Sequence, residues 1–299
     1  MTPLHIALVG YGEVGATFAR GLSGQAGVAS MSAWDRLFGQ DDHPLRAVAQ
    51  RDGTRVASSV QDLCATADLI ISAVTASSTL PVAHEVAAHI RPGTRFLDLN
   101  SASPGTKKQA GALIDAAGAH YVEAGVMTSV PPYGIRVPML LGGAHAAALA
   151  QTLTGWGMDA KVVSDQLGVA SAIKMSRSVM IKGLEALVIE SYSTALAYGV
   201  ADHVLPTLAE TFPSIDWSQQ GAYFFMRVAQ HGKRRAEEMR EAANTVREAG
   251  FEPFMTAAIA DKQQWMADLA RQGVFAGVGK NDPWQAYASR LIEAIPKKQ

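Results

Sequence analysis

The sequence is poor in cysteine, in net charge and in long apolar runs, and each shortage excludes a class of protein. Cys64 is the single cysteine among 299 residues, which excludes an internal disulfide framework and a cysteine-based metal cluster and fits a reducing cytoplasm. A formal net charge of −1 leaves no excess of either sign for binding nucleic acid or an anionic membrane. No apolar run reaches the roughly 18 residues that a transmembrane helix needs.

Motifs of several common enzyme sites are also missing. The eight histidines include no H-x-x-x-H or H-E-x-x-H spacing, so we expect no metal ion. The nucleophile motif G-x-S-x-G is absent, which argues against serine hydrolase chemistry. The first apolar run begins at Leu4, so we expect no signal peptide. These absences together predict a cytoplasmic protein that binds neither metal, membrane nor nucleic acid.

The sequence does contain a glycine-rich loop between an apolar run and a helical stretch. Residues 4–10 lead into Gly10-Tyr11-Gly12-Glu13-Val14-Gly15, and Asp35 lies twenty residues beyond the last glycine. This is the dinucleotide-binding pattern, whose glycines allow a tight turn, a close approach to a pyrophosphate and helix–strand packing. The start of the next helix offers free N–H groups to the phosphates. The alternative is a plain glycine turn in an α/β domain.

The acidic residue favours NAD as the cofactor, with NADP as the alternative. A carboxylate at Asp35 suits the free ribose hydroxyls of NAD and repels the 2′-phosphate of NADP. Arg36 follows directly and either offsets that repulsion or is a solvated loop charge. We predict three further cofactor contacts at the ends of later apolar runs, namely Val74, Thr75 and Asn100.

Short apolar runs alternate with helical stretches up to about residue 164, which predicts crossover units and a mostly parallel sheet. The candidate strands cover residues 4–10, 28–34, 68–74, 95–100, 120–126, 136–142 and 160–163. The candidate helices between them cover residues 13–23, 79–90, 104–117 and 144–155. We therefore predict an α/β fold with an N-terminal Rossmann domain, a doubly wound parallel sheet over residues 1–164.

Strand signals end after residue 165, and an all-helical domain is predicted over residues 165–299. Its first element is one helix of about 30 residues, which would span about 45 Å. Further helices are predicted near 202–212, 218–249, 254–271 and 283–296, with Gly232 and Gly250 as breaks or caps. A helix of such length usually runs between domains or through a subunit interface, so we expect a homodimer.

Lys174 is the candidate for moving the proton that accompanies hydride transfer. It lies one to two turns into the long predicted helix, among Ala172, Ile173 and Met175. A neutral lysine accepts a proton from a hydroxyl group and a protonated one donates to a carbonyl oxygen. Ser178 follows by one turn on the same side of the helix and can share a substrate with Lys174. The alternative for Lys174 is a solvated surface charge.

The order of these features resembles the β-hydroxyacid dehydrogenase and 6-phosphogluconate dehydrogenase superfamily. The resemblance rests on the glycine loop, on Asp98-Leu99-Asn100-Ser101-Ala102-Ser103-Pro104, on Glu123-Ala124-Gly125-Val126 with the later Gly142-Gly143, and on Gly168 six residues before Lys174. It implies a dinucleotide domain joined to a helical domain by a long helix. It also implies that Lys174 is the general acid/base.

Two departures from the family pattern point to a divergent subgroup. The family commonly has an asparagine three or four residues after the lysine, where this sequence has Arg177 and Ser178. Its substrate loop usually reads Ser-Gly-Gly, where this sequence has Met127-Thr128-Ser129 followed by two prolines that stiffen the loop. We expect Ser101 and residues 127–129 to contact the polar end of the substrate.

A second candidate wall of the substrate site lies in the helical half. His231, Arg234 and Arg235 are spaced i, i+3 and i+4, so they share one helical face. Such a face can bind a carboxylate or phosphate, with arginine as a bidentate donor. The alternative is a solvated helix in which the basic residues pair with Glu237, Glu238 and Glu241.

These observations predict an NAD(P)-dependent oxidoreductase that transfers a hydride between nicotinamide and a hydroxyl-bearing carbon of a hydroxyacid-like substrate. A second reading keeps the fold but changes the chemistry to imine reduction, or to an oxidation coupled to carbon–carbon cleavage that recycles NAD. A third is a nucleotide-binding sensor without catalysis. The sequence does not name the substrate.

Overall fold

The computed structural model describes residues 3–40 and 43–294, and within them eight strands alternate with helices along the first half of the chain. The strands are β1 Leu4–Val9, β2 Val28–Trp34, β3 Arg55–Val56, β4 Leu69–Ser72, β5 Arg95–Asp98, β6 His120–Val126, β7 Met139–Gly142 and β8 Ala160–Ser164. The helices between them are α1 Glu13–Leu22, α2 Pro44–Arg51, α3 Val60–Cys64, α4 Thr79–Ala87, α5 Pro104–Ala116 and α6 Ala146–Gly155.

The strands form one sheet in the order β3-β2-β1-β4-β5-β6-β7-β8, in which the described neighbours are parallel except for β6 and β7. The strand order reverses between β1 and β4, so the chain winds outward in both directions from this point. Ligands of open α/β sheets bind in the crevice at the carboxyl ends of the strands, at such a reversal. The predicted fold class is therefore confirmed, and the glycine loop after β1 lies at the reversal.

Both faces of the sheet are buried, as is usual for a mostly parallel sheet. Successive residues of a strand point to opposite faces, so each strand contributes to two apolar clusters. In β1, Ile6 and Leu8 belong to one buried apolar cluster, whereas Ala7 and Val9 belong to the other. This explains why β1 reads as a continuous apolar run rather than an alternating one.

In the described residues beyond Ser164 no strand occurs, as the sequence predicted. The helices there are α7 Val169–Ala197, α8 Ala201–Thr211, α9 Trp217–Glu248, α10 Phe254–Arg271 and α11 Trp284–Ala294. The chain divides into two compact units, Met1–Ser176 and Arg177–Gln299. The first few residues of α7 belong to the first unit and the rest to the second. The predicted domain boundary at residue 164 stays a prediction.

The second unit has its own apolar core, built on three aromatic side chains. Tyr192 packs edge-on against Trp284, with ring centroids 4.8 Å apart, and Phe225 lies beside Trp284. Gly221 on α9 makes room for this packing, because a Cβ atom there would lie 2.6 Å from the Tyr192 ring.

Sequence reasoning missed α2 and β3, which are short elements with weak periodicity. It was also wrong to treat Gly232 as a break, because α9 runs unbroken from Trp217 to Glu248. Gly250, by contrast, follows the end of α9 with φ of +87°, as a C-terminal glycine should. The last two residues of the predicted helix 283–296 lie outside the described residues.

Cys64 is fully buried in the sheet domain, and burial raises the pKa of its thiol to about 12. Over residues 3–40 and 43–294, no helix is long and apolar enough to cross a membrane.

Gly232 permits the close packing of α9 against α10, which predicts a stability effect. A Cβ atom at this position would lie 2.7 Å from the carbonyl oxygen of Gln263. We expect Gly232→Ala to lower the free energy of unfolding by about 1–3 kcal/mol, measured by urea denaturation, because the two helices must move apart. Gly155→Ala is the matched control, since its Cβ would meet nothing within 4 Å; an equal loss in both variants would contradict this account.

Candidate functional site

The three glycines of the loop after β1 have three different environments. Gly10 has φ of +90°, and a Cβ there would lie 2.5 Å from the carbonyl oxygen of Ala73 at the end of β4. A Cβ on Gly15 would fall on the carbonyl oxygen of Gly10, whereas one on Gly12 would meet nothing within 4 Å. The loop is thus closely packed at its first and third glycines and open at the second. This is the arrangement that admits a pyrophosphate at the start of α1.

The side chain of Asp35 is hydrogen-bonded to the backbone of the glycine loop. Its carboxylate accepts hydrogen bonds from the backbone N–H of Tyr11, at 2.8 Å, and from that of Leu37, at 2.9 Å. The carboxylate therefore lies beside the loop, at the end of β2, where an adenosine ribose would be recognised. Arg36 is exposed, and so is Glu13 at the start of α1, while Val14 is half-buried.

The side chain of Tyr11 points into the protein rather than toward the open side of the loop. It is fully buried, and its hydroxyl lies 3.1 Å from Asp52 and 3.2 Å from Thr54. Burial raises the pKa of Tyr11 above its ordinary value. Tyr11 therefore anchors the loop through its buried side chain, on the side that faces the protein interior.

Asn100 links the carboxyl ends of β4 and β5. Its side-chain oxygen accepts from the N–H of Val74 at 2.7 Å, and its amide nitrogen donates to Ser72 at 2.9 Å. Val74 is half-buried and Thr75 is exposed. The structure thus brings the three further cofactor candidates to the edge of the sheet where the glycine loop lies.

A buried ionic network fixes the end of β5. The Lys107 ammonium lies 2.9 Å from Asp98 Oδ1, and the Tyr121 hydroxyl donates to Asp98 Oδ2 at 2.6 Å. Burial, and then the charge of Asp98, hold the pKa of Tyr121 well above its ordinary value, so Tyr121 remains a donor. Sequence reasoning missed Lys107 and Tyr121. One signal could have pointed to Lys107: it lies three residues after Pro104, in the first turn of the helix that follows the Asp98 segment.

Lys174 reaches the segment that follows β5. It is half-buried, and its Nζ donates to the hydroxyl of Ser101 at 2.7 Å. Gly125 on β6 allows this approach, because a Cβ there would lie 2.9 Å from the carbonyl oxygen of Ala170 and 3.5 Å from the Cβ of Lys174. Two candidates chosen separately from the sequence, Lys174 and Ser101, are therefore in direct contact.

Glu123 on β6 caps the start of α7, where Ala170 lies four residues before Lys174. Its Oε1 accepts from the N–H groups of Gly168 and Ala170, at 2.8 and 3.0 Å, and its Oε2 accepts from the Ser171 hydroxyl at 2.8 Å. A carboxylate at this end of a helix also interacts favourably with the helix dipole. Gly142 leaves the necessary space, since a Cβ there would lie 2.6 Å from Oε1. The sequence marked Glu123 and Gly142 only as parts of motifs.

The predicted substrate loop begins where β6 ends. Met127 is held by a backbone hydrogen bond to Pro138, at 2.9 Å. Met127 and Ser129 are half-buried and Thr128 is exposed. The loop returns through residues 134–136, a short 3-10 turn, to β7.

The remaining candidates lie in the second unit, on α7 and α9. Ser178 is buried, and its hydroxyl accepts a hydrogen bond from Lys182 Nζ at 3.2 Å. His231 is half-buried and Arg234 is exposed, with Arg234 3.9 Å from Glu238.

Neither alternative that the sequence left open for Arg235, a ligand-binding face or a solvated helix, describes this residue. Arg235 is buried and forms an ion pair with Glu185 on α7, to which its Nε donates at 3.0 Å. Gln263 of α10 donates to the same carboxylate at 3.3 Å. Arg235 joins the helices of this unit because a buried guanidinium requires a paired carboxylate.

Among the described residues, no three His, Cys, Asp or Glu side chains are grouped so as to hold a metal ion.

Comparison with known proteins gives the class to which this chain belongs. The family described as the NAD binding domain of 6-phosphogluconate dehydrogenase matches residues 5–151, and a domain family of unknown function matches residues 195–266. A conserved hypothetical protein from Sinorhizobium meliloti is 35% identical, with a TM-score of 0.76, over 99% of this chain and 97% of that one. The chain belongs to the β-hydroxyacid dehydrogenase and 6-phosphogluconate dehydrogenase superfamily, as a divergent subgroup.

Further solved structures agree with this assignment. A conserved protein of unknown function, described as structurally similar to 3-hydroxyacid dehydrogenases, is 29% identical with a TM-score of 0.67, over 90% of this chain and 98% of that one. Two enzymes share the fold at lower identity. The 3-hydroxyisobutyrate dehydrogenase of Mycobacterium tuberculosis is 17% identical (TM-score 0.68; 97% and 99% covered). The reductive aminase of Aspergillus terreus is also 17% identical (TM-score 0.57; 98% and 100% covered).

The chain is therefore an NAD(P)-dependent oxidoreductase of a small molecule. The glycine loop fits a dinucleotide on structural grounds as well, because the side that a pyrophosphate would approach is open at Gly12 and carries the start of α1.

The cap formed by Glu123 predicts a stability effect. We expect Glu123→Gln to lower the free energy of unfolding of the first unit by about 1–3 kcal/mol, because the amide replaces one buried acceptor by a donor that faces backbone N–H groups. Thermal unfolding followed by circular dichroism measures this change. Glu85→Gln on the exposed face of α4 is the control. Equal melting temperatures for the two variants would show that the cap does not stabilise α7.

Proposed function

We propose that this protein transfers a hydride between NAD(P) and a hydroxyl-bearing carbon of a hydroxyacid-like substrate, with Lys174 as the general acid/base. The observation that supports it is the contact of 2.7 Å between Lys174 Nζ and Ser101. Ser101 belongs to the segment that follows β5. Asn100 of the same segment accepts a hydrogen bond from the N–H of Val74, just after β4 and beside the glycine loop. We also propose that residues 1–164 form the dinucleotide-binding domain and that residues 165–299 form a helical substrate and dimerisation domain.

The proposed chemistry follows from the donors and acceptors of the site. The nicotinamide, when bound, supplies or accepts the hydride. In the oxidation direction Lys174 takes the proton of the substrate hydroxyl, and in reduction it returns a proton to the carbonyl oxygen. Because Lys174 donates to the Ser101 oxygen, the hydrogen of Ser101 is left to point toward a substrate acceptor. Ser178, one turn further along α7, is the second proposed catalytic residue.

NAD is proposed as the preferred cofactor, with NADP as the alternative. Asp35 lies beside the loop with its negative charge, which favours free ribose hydroxyls over a 2′-phosphate. Arg36 is exposed next to it and can offset part of that charge.

A second candidate reaction is reductive amination. It is favoured by the likeness in fold to the Aspergillus terreus reductive aminase, whose structure is described as a complex with NADPH and ethyl levulinate. A cofactor-recycling lyase and a non-catalytic sensor remain outcomes of the tests below.

We further propose a homodimer assembled through the long helix α7. Met180, Ile181 and Leu187 are exposed along it, although they are apolar. Apolar side chains repeated along one helix typically mark a surface that another chain covers.

The cofactor preference can be measured by fluorescence titration with NADH and NADPH. We expect NADH to bind at least about tenfold more tightly, and Asp35→Asn to reduce this ratio, because the variant removes the charge that repels the 2′-phosphate. Asp165→Asn is a control at an exposed carboxylate on the loop after β8. Tighter binding of NADPH would assign the dominant role to Arg36, and binding of neither nucleotide would overturn the proposed function.

Lys174 can be tested by kinetics. We expect Lys174→Met to lower kcat by about 10²- to 10⁴-fold while the Kd for NADH stays unchanged, because a general acid/base contributes rate rather than cofactor affinity. The assay follows NADH absorbance with 3-hydroxyisobutyrate and L-serine in one direction, and with a ketone and an amine in the other. Lys161→Met on β8 is the control at an exposed lysine. Full activity of Lys174→Met would refute the assigned role.

A further inference from the structure

The buried ion pair at the end of β5 has no part in the chemistry proposed above. The side chains of Asp98 and Lys107 are each 1% exposed, with Nζ 2.9 Å from Oδ1, and the buried Tyr121 hydroxyl donates to Oδ2 at 2.6 Å. A protein in which apolar groups of similar volume replace a buried ion pair is often as stable or more stable. Stability of the fold alone therefore does not account for charges at this place.

The ion pair is bonded to the backbone of the segment that leaves β5. Lys107 Nζ also donates to the backbone carbonyl oxygen of Asp98 at 3.0 Å, and Asp98 Oδ1 accepts from the N–H of Asn100 at 2.8 Å. A carboxylate that accepts from the N–H two residues further on forms an Asx turn. The Leu99 N–H between them donates to the Ser72 carbonyl oxygen at 3.0 Å. The direction in which the chain leaves β5 is thus determined by the ion pair and β4.

Two contacts of the candidate site follow directly from this turn. Asn100 Oδ1 accepts from the N–H of Val74 at 2.7 Å, at the edge of the sheet where the glycine loop lies. The next residue, Ser101, accepts from Lys174 Nζ at 2.7 Å. Because these two residues are adjacent in the chain, a change in the direction of residues 99–101 would move both contacts.

We propose that Tyr121 and Lys107 are positioning residues of the active site, which hold the Asp98 carboxylate so that the turn presents Ser101 to Lys174. The Tyr121 hydroxyl fixes the rotation of the carboxylate, and Lys107 fixes the carbonyl of the same residue. The inference rests on the proposed function, in which Lys174 moves the proton. Both residues act through Ser101, so their effect on Lys174 depends on the Ser101 hydroxyl.

The reactivity of the Lys174 amine tests this dependence without a substrate. The full chain is acetylated with a trace of acetic anhydride at one fixed pH, and mass spectrometry of the peptides gives the rate at Lys174. We expect Ser101→Ala to raise this rate about tenfold, because it removes a hydrogen bond that holds the ammonium form. Tyr121→Phe keeps the shape of the ring and should raise the rate about threefold or more, because the turn loses one of its hydrogen bonds.

The double variant decides between a positioning and a structural role. If Tyr121 acts through Ser101, Tyr121→Phe/Ser101→Ala should react no faster than Ser101→Ala alone, because the two changes remove one shared contact. An unchanged rate in Tyr121→Phe would overturn the proposal. So would an increase that persists in full on top of Ser101→Ala, since a merely structural role predicts independent effects.

Tyr192→Phe is the matched control for the lost hydroxyl. Tyr192 is also fully buried, and its hydroxyl donates to the backbone carbonyl of Trp217 at 3.0 Å. We expect the wild-type rate at Lys174 in this variant, and an increase equal to that of Tyr121→Phe would contradict the proposal. The exposed Lys161 gives an internal reference rate in each sample.

Folding and the proposed function are checked separately. If Tyr121→Phe does not fold, the double variant Asp98→Asn/Lys107→Met takes its place beside Ser101→Ala, because it leaves no buried ion without a partner; the same outcomes apply. Full activity of Lys174→Met would overturn the proposed function, whatever the acetylation rates are. Independent effects of Tyr121→Phe and Ser101→Ala, with an inactive Lys174→Met, would overturn the positioning role alone.

Discussion

One buried carboxylate, Glu123, fixes the start of the helix that carries Lys174. It accepts from two backbone N–H groups and from the Ser171 hydroxyl, so it satisfies donors that a helix start leaves without partners. Glu123 lies on β6 in the middle of the sheet, and the sheet therefore determines where α7 begins. The position of Lys174 relative to Ser101 follows from this register, because Ala170 and Lys174 lie on one side of the helix.

The site depends on small residues as much as on charged ones. Gly125 and Gly142 carry no reactive group, yet a Cβ at Gly125 would push α7 from the sheet and one at Gly142 would displace Glu123. The network of Asp98, Lys107 and Tyr121 acts from the other side, because it holds the end of β5 on which Asn100 and Ser101 follow. The buried charges of the sheet domain thus position the site rather than react in it.

Sequence reasoning was most successful where the pattern is local. The glycine loop, β1 and the length of α7 were predicted closely, because glycine placement and apolar periodicity act over a few neighbouring residues. The contact between Lys174 and Ser101 joins residues 73 positions apart, and it was found only as two separate candidates. The sequence left Arg235 between a ligand face and a solvated helix and missed its burial, because helical spacing alone does not show whether a side of a helix is covered.

The sequence by itself determined the class of protein: a dinucleotide loop at the start of a parallel α/β domain, followed by helices and a lysine near the beginning of the longest one. Only the tertiary structure decided which charges are paired. Nothing in the sequence singled out Lys107 or Lys182, and Arg235 was considered only for a ligand face or a solvated helix. Folding buries each of the three beside a carboxylate from another element. The reason is that pairing of a buried charge depends on distance in space. Residue order alone does not give that distance for partners on different elements, whether they are nine positions apart, as Asp98 and Lys107 are, or 50, as Glu185 and Arg235 are.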